Sequence, residues 1–244
     1  MSSGVAISCV WKVIQRDTAD LLLYYITDRS QFAGDEAYRR RSLIETITEA
    51  VSSGVDYIQL REKDLNSREL EILGAEVVAI VRKARAENQK IETRVLINSR
   101  TDVAIACRAD GVHLRSDDIS AIDVRKIWAQ SGRGALEPVT IGVSCHTLAE
   151  VAHAAAGGAD FAVFGPIFEQ KTNAGGSPPG LDGLRQASQA RMPVLALGGI
   201  TVENAGDCMQ AGAAGIAGIR LFQENKISKV VASLRSSVIN STKD

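Results

Sequence analysis

Ser53-Gly54-Val55-Asp56-Tyr57-Ile58-Gln59-Leu60-Arg61-Glu62-Lys63-Asp64 leaves one helical pattern, passes through a short strand and stops just ahead of another helix. Gly54 stands where a helix end needs a left-handed residue. Asp56–Arg61 reads as a strand, which places Ile58 and Leu60 on one face and Gln59, Arg61 and, beyond the strand end, Lys63 on the other. Ser67–Glu87 then carries Leu70, Leu73, Val77 and Val81 on a single stripe, the period of a helix.

The same unit recurs in both directions. Upstream, Leu21–Thr27 reads as a strand and Glu36–Ser53 as a helix. Downstream, strands are expected at Arg94–Ile97, Gly111–Leu114, Val139–Val143, Phe161–Phe164, Val194–Leu197 and Gly215–Ile219. Helices fit at 101–108, 120–130, 147–157, 181–190, 202–211 and 223–238. Gly157-Gly158-Ala159-Asp160 and Ala211-Gly212-Ala213-Ala214 echo Ser53-Gly54-Val55-Asp56. Repeated βα units with short apolar strands imply a parallel sheet covered on both faces. The expected fold is a single (β/α)8 TIM barrel over 21–244 behind an N-terminal extension, 1–20, with a doubly wound open sheet as the alternative.

Composition narrows the partners. At 244 residues, 45% hydrophobic and 23% charged, the chain can bury a sizeable core. A formal net charge of -1 gives no reason to expect nucleic acid or an anionic membrane, so any bound anion must be held by a local cluster of donors. No apolar run approaches the roughly 18 residues that span a bilayer, and Met1–Asp20 does not read as a signal peptide. Cys9, Cys107, Cys145 and Cys208 are scattered and read as inert thiols in a reducing cytoplasm. The sequence leaves homo-oligomer formation open.

In a β/α barrel the chemistry sits at the C-terminal ends of the strands. Gln59, Arg61 and Lys63 converge there and suit a pyrophosphate, since Arg offers a bidentate fork and Lys a point charge. The competing reading pairs Arg61 and Lys63 with Glu62 and Asp64 as a solvated charge run. Leu197-Gly198-Gly199-Ile200-Thr201 and the strand ending Ile219-Arg220 stand where barrels often bind phosphate, with Thr201 a candidate helix cap. His146 follows the fifth strand and suits proton transfer, whereas His113, within the fourth, reads as structural. Asp117 and Asp118 could bind a hard cation or cap the next helix.

Together these residues resemble the family of thiamine phosphate synthases and the related thiazole tautomerase TenI, over Leu21 to Val238. The resemblance rests on Tyr25-Ile26-Thr27-Asp28, Gln59-Leu60-Arg61-Glu62-Lys63, Ile97-Asn98, Ala109-Asp110-Gly111-Val112-His113-Leu114, Gly142-Val143-Ser144, His146-Thr147, Gly165-Pro166-Ile167-Phe168 and Gly198-Gly199-Ile200. It implies a transferase that joins hydroxymethylpyrimidine pyrophosphate to a thiazole phosphate and releases pyrophosphate. It assigns the pyrophosphate to Gln59, Arg61, Lys63 and Asn98, with Mg2+ as cofactor, and Ser144 to the pyrimidine. Gly199, Ile219 and Arg220 fall to the thiazole phosphate.

Two departures bear on that assignment. Synthases usually carry Asn-Asp after the third strand, where this chain has Asn98-Ser99, leaving Asp118 as the acidic metal ligand. After the sixth strand the chain reads Gln170-Lys171-Thr172-Asn173, in which Thr172 matches the family pattern and the lysine is displaced. A tautomerase would use His146 on the thiazole and bind no pyrophosphate. A non-catalytic barrel that binds thiazole or thiamine phosphate is the third reading. The intact Gln59, Arg61 and Lys63 favour the synthase.

Overall fold

The structure, a computed structural model, describes residues 21–133, 138–168 and 178–241, with side chains through residue 236. The extension expected at 1–20 lies outside the described residues.

Eight parallel strands close into a barrel in sequence order, β1 pairing with both β2 and β8. They are β1 (Leu22–Ile26), β2 (Tyr57–Leu60), β3 (Arg94–Asn98), β4 (Gly111–Leu114), β5 (Thr140–Cys145), β6 (Phe161–Phe164), β7 (Val194–Leu197) and β8 (Gly215–Gly218). The helices are α1 (Glu36–Ser52), α2 (Ser67–Glu87), α3 (Thr101–Ala106), α4 (Ala121–Gln130), α5 (Leu148–Ala156), α6 (Gly180–Ala187), α7 (Ala205–Gln210), α8 (Arg220–Gln223) and α9 (Ile227–Ser241). A single 3-10 turn, Arg29–Gln31, follows β1. The closed ring excludes the open-sheet alternative.

Alternation along the strands builds two cores. Outward residues such as Leu23, Ile58, Val95 and Ile141 pack under the helices with Leu43, Leu73, Val77 and Trp128. Inward residues Tyr24, Ile26, Leu96, Phe161, Val163, Leu195 and Ala217 fill the barrel. The glycines expected to end helices do so with left-handed backbone, at φ +82° for Gly54, +75° for Gly158 and +93° for Gly212.

An aspartate after such a turn bolts the barrel base. Asp56, Asp110 and Asp160 each accept the backbone N–H of the preceding strand, from Leu23, Val95 and Ile141 at 2.8, 2.7 and 2.7 Å. Each also pairs with a helical arginine, Arg235, Arg85 and Arg125 respectively. The corresponding position before β8 is Ala214 and lacks this bolt.

Three boundaries differ from expectation and matter for the site. β2 stops at Leu60, because the next N–H, that of Arg61, turns to the Thr27 side chain at 3.0 Å; Arg61 and Lys63 therefore ride on the loop. β5 reaches Cys145, which puts Ser144 on a strand. The last helical pattern breaks into α8 and α9, where the Asn225 side chain donates to the Leu221 carbonyl at 3.1 Å and closes the first piece.

Candidate active site

The strand ends carry the sequence-predicted residues to one rim. Arg61 is half-buried and Lys63 exposed, and neither side chain has an ion-pair partner among the described residues. The neighbouring acids are engaged elsewhere. Both Asp64 oxygens accept from Arg29, Nη1 at 2.7 Å and Nη2 at 2.9 Å. Glu62 is buried and accepts from Thr27 Oγ1 at 2.5 Å, from the Arg29 backbone N–H at 3.0 Å and from Arg29 Nη1 at 3.1 Å. The Arg29 bond holds the Asp64 carboxyl below the usual carboxylate range. The solvated charge-run alternative therefore fails at its acids: they belong to Arg29, and neither is paired with Arg61 or Lys63.

Gln59 and Asn98 are joined side by side, Gln59 Nε2 donating to Asn98 Oδ1 at 2.7 Å. Gln59 is buried, and its Oε1 has no hydrogen-bond partner. An orphaned acceptor inside a site asks for a donor, and a phosphate oxygen cannot supply one. Asn98 Nδ2 faces only a long contact of 3.4 Å to Ser99 Oγ, which leaves donor capacity for an anion.

Ser99 has left-handed backbone, φ +57°, and its hydroxyl donates to Asp118 Oδ2 at 2.7 Å. The structure thus brings together the two residues singled out for metal. Asp118 also accepts the Arg115 backbone N–H at 2.8 Å. Asp117 points away, paired to Arg115 at 2.9 Å. Neither acid caps the next helix, because Ser120 is the N-cap of α4. No group of three His, Cys, Asp or Glu among the described residues could hold a metal ion unaided. One carboxylate and one hydroxyl do suit an ion that takes its remaining oxygens from a phosphorylated substrate.

His113 is structural in a more specific sense than the sequence suggests. Its ring crosses the barrel interior from Tyr24 Oη, 2.9 Å from Nδ1, to Ser144 Oγ, 2.8 Å from Nε2. Burial drives its pKa down to about 3, with Arg61 adding repulsion, so the ring is neutral. Gly142 makes room for it: a Cβ there would lie 2.6 Å from the Phe161 ring and 2.8 Å from His113 Nδ1. Tyr24, His113 and Arg29 were not candidates from sequence, since each acts through a partner remote in the chain. Only the run Thr27-Asp28-Arg29 beside a strand end hinted at the last.

His146 is exposed, and its Nδ1 lies 2.6 Å from the Gly165 carbonyl. A carbonyl only accepts, so Nδ1 carries the hydrogen, and Nε2 has no hydrogen-bond partner among the described residues. Gly198 and Gly199 both have positive φ, +101° and +66°, in the turn after β7. The Asn204 side chain ties that turn by donating to the Gly199 carbonyl at 3.0 Å. Thr201 caps this turn and not α7, whose N-cap is Asn204. Ile219 is half-buried at the end of β8 and Arg220 is exposed beside it. Gly199, Ile219 and Arg220 share the rim with Arg61, but no hydrogen bond links them to it among the described residues. Thr172 lies outside the described residues.

Comparison with known proteins identifies the family. Residues 23–222 match the thiamine monophosphate synthase family. Among similar proteins, thiamine-phosphate synthase of Roseiflexus castenholzii is 38% identical, over 80% of this chain and 78% of its own. Thiamine-phosphate synthase of Methanospirillum hungatei is 37% identical, over 81% and 87%. Among solved structures, thiamine phosphate pyrophosphorylase from Pyrococcus furiosus superposes with a TM-score of 0.71 at 28% identity, covering 91% of this chain and 98% of its own.

Proposed function

The chain belongs to the thiamine monophosphate synthase family, and from that premise we propose how its own residues carry the transfer. It is a transferase of thiamine biosynthesis whose substrates are a phosphorylated pyrimidine and a phosphorylated thiazole. It joins hydroxymethylpyrimidine pyrophosphate to the thiazole phosphate and releases pyrophosphate.

The observation that carries the residue assignment is that Arg61 and Lys63 have no ion-pair partner among the described residues, beside acids already bound by Arg29. Two cations free of intramolecular partners at a barrel mouth bind a dianionic or more highly charged group without first breaking a salt bridge. Departure of pyrophosphate leaves a resonance-stabilised pyrimidine cation, and the thiazole nitrogen captures it. Arg61, Lys63 and Asn98 stabilise the leaving group as its charge develops. Gln59 orients Asn98 by donating to its side-chain oxygen. Ser144 faces the pyrimidine from β5, while Gly199, Ile219 and Arg220 hold the thiazole phosphate, and the family pattern adds Thr172 as a substrate-binding residue.

Asp118 with Ser99 would hold Mg2+ together with the pyrophosphate oxygens. The ion's contribution is to neutralise charge on the leaving group. The buried free thiols of Cys107, Cys145 and Cys208 fit a reducing cytoplasm.

His146 supports the tautomerase as a second reading, because an imidazole whose Nε2 has no partner among the described residues suits moving a proton on a thiazole. That reaction gives no role to Arg61 and Lys63. Incubation with both substrates and magnesium, followed by mass analysis, tests the assignment: thiamine phosphate as product supports the transferase, and isomerised thiazole phosphate alone overturns it.

A further inference from the structure

We propose that Arg29 is a positioning residue that keeps Arg61 and Lys63 available to pyrophosphate by holding Glu62 and Asp64 away from them. The proposal rests on the synthase reading, because only a pyrophosphate site needs both cations unpaired.

The loop alternates in charge, Arg61-Glu62-Lys63-Asp64, and left to itself each acid has a cation beside it. Arg29 is 4% exposed, and four of the five N–H groups of its guanidinium are bound to acids. Nε donates to Glu36 at 2.7 Å, Nη1 to Glu62 and Asp64, and Nη2 to Asp64. Burial works against its charge, and the bonds to Asp64, Glu36 and Glu62 more than offset that, raising its pKa above the ordinary arginine value.

A second effect travels through Thr27. Its hydroxyl donates to Glu62 and accepts the Arg61 backbone N–H at 3.0 Å. Arg29 therefore fixes Glu62, Glu62 orients Thr27, and Thr27 sets where the chain leaves β2 at Arg61. A lysine could satisfy only part of this arrangement, since it lacks the planar fork that takes both Asp64 oxygens.

The test is calorimetric binding of inorganic pyrophosphate, with magnesium, to the full chain and to Arg29→Met, Arg29→Lys, Arg29→Met/Asp64→Asn and Arg29→Lys/Asp64→Asn. Glu62 keeps its bonds to the Thr27 hydroxyl and the backbone N–H of residue 29, so the acid released onto the cations is Asp64, which should weaken binding about tenfold in Arg29→Met and less in Arg29→Lys. Removing the released acid with Asp64→Asn should restore most of the affinity in both backgrounds, a recovery that a purely structural role does not produce. With the pyrophosphate substrate, KM should rise more than kcat falls. A folded Arg29→Met that binds as tightly as the parent, or no recovery with Asp64→Asn, overturns the proposal. If Arg29→Met fails to fold, the lysine pair reads the same two outcomes. A parent that binds no pyrophosphate overturns the synthase reading and this inference together, which separates that failure from the variant outcomes.

Discussion

His113 Nε2 and Ser144 Oγ lie 2.8 Å apart, and the direction of their hydrogen bond is set on the far side of the ring. Tyr24 is fully buried, with its phenol pKa raised well above the ordinary value by burial, and His113 Nδ1 is the partner of its hydroxyl. Among the described residues the phenol hydrogen has no other acceptor, so it is donated to Nδ1. A neutral ring then carries its hydrogen on Nε2 and donates to Ser144 Oγ, which leaves the Ser144 hydrogen free for an acceptor on the substrate.

Keeping His113 neutral makes stability depend on pH. Its folded pKa, about 3, lies below the unfolded histidine value, so the unfolded chain takes up a proton first as pH falls. The contribution is complete above the unfolded pKa of about 6.5 and is lost from there down to the folded pKa. At pH 5 the loss should reach about 2 kcal/mol. Urea midpoints of the parent and His113→Gln at pH 7 and pH 5 check this. The parent should lose about 2 kcal/mol more than the variant, and equal losses would remove His113 as the cause.

Arg61→Met should fold normally, because among the described residues the side chain has no ion pair to leave stranded. Binding of the pyrophosphate substrate should weaken by roughly 2–5 kcal/mol if the contact is desolvated. Calorimetry on the folded variant measures it, and unchanged affinity would assign the pyrophosphate to other residues.

Ser99→Asp should lower the magnesium concentration needed for turnover. The new carboxylate would face Asp118 at hydrogen-bond range, and like charges so close favour a bridging divalent ion. Aspartate also tolerates the left-handed backbone at this position better than most residues. A magnesium titration that superposes on the parent's would show that Asp118 and pyrophosphate suffice.

Lys63→Met and His146→Asn rank oppositely for the two reactions. The coupling reaction should lose most of its rate in Lys63→Met and keep most of it in His146→Asn. Asparagine retains a hydrogen-bonding side chain toward the Gly165 carbonyl while removing the imidazole. Assaying both variants for coupling and for thiazole isomerisation decides between them. Isomerisation that collapses in His146→Asn and survives in Lys63→Met would favour the tautomerase.

The barrel was legible because its signals are local. Strand alternation, the helical stripe of α2 and glycines that end helices with positive φ each depend on neighbours a few positions away, and β4, β6, β7 and α2 fall at the residues read from sequence. Barrel order then puts Arg61, Asn98, Ser144, Gly199 and Arg220 on one rim without any knowledge of side-chain contacts. Which charges are free there was not legible. Whether Glu62 and Asp64 neutralise Arg61 and Lys63 depends on Arg29, more than thirty positions upstream and delivered by β1. Whether His113 is inert or sets the polarity of Ser144 depends on Tyr24, 89 positions away across the barrel interior. Sequence spacing specifies the period and order of elements; only closure of the eight strands brings partners from different strands within hydrogen-bonding distance, and that pairing decides protonation, donor direction and free charge.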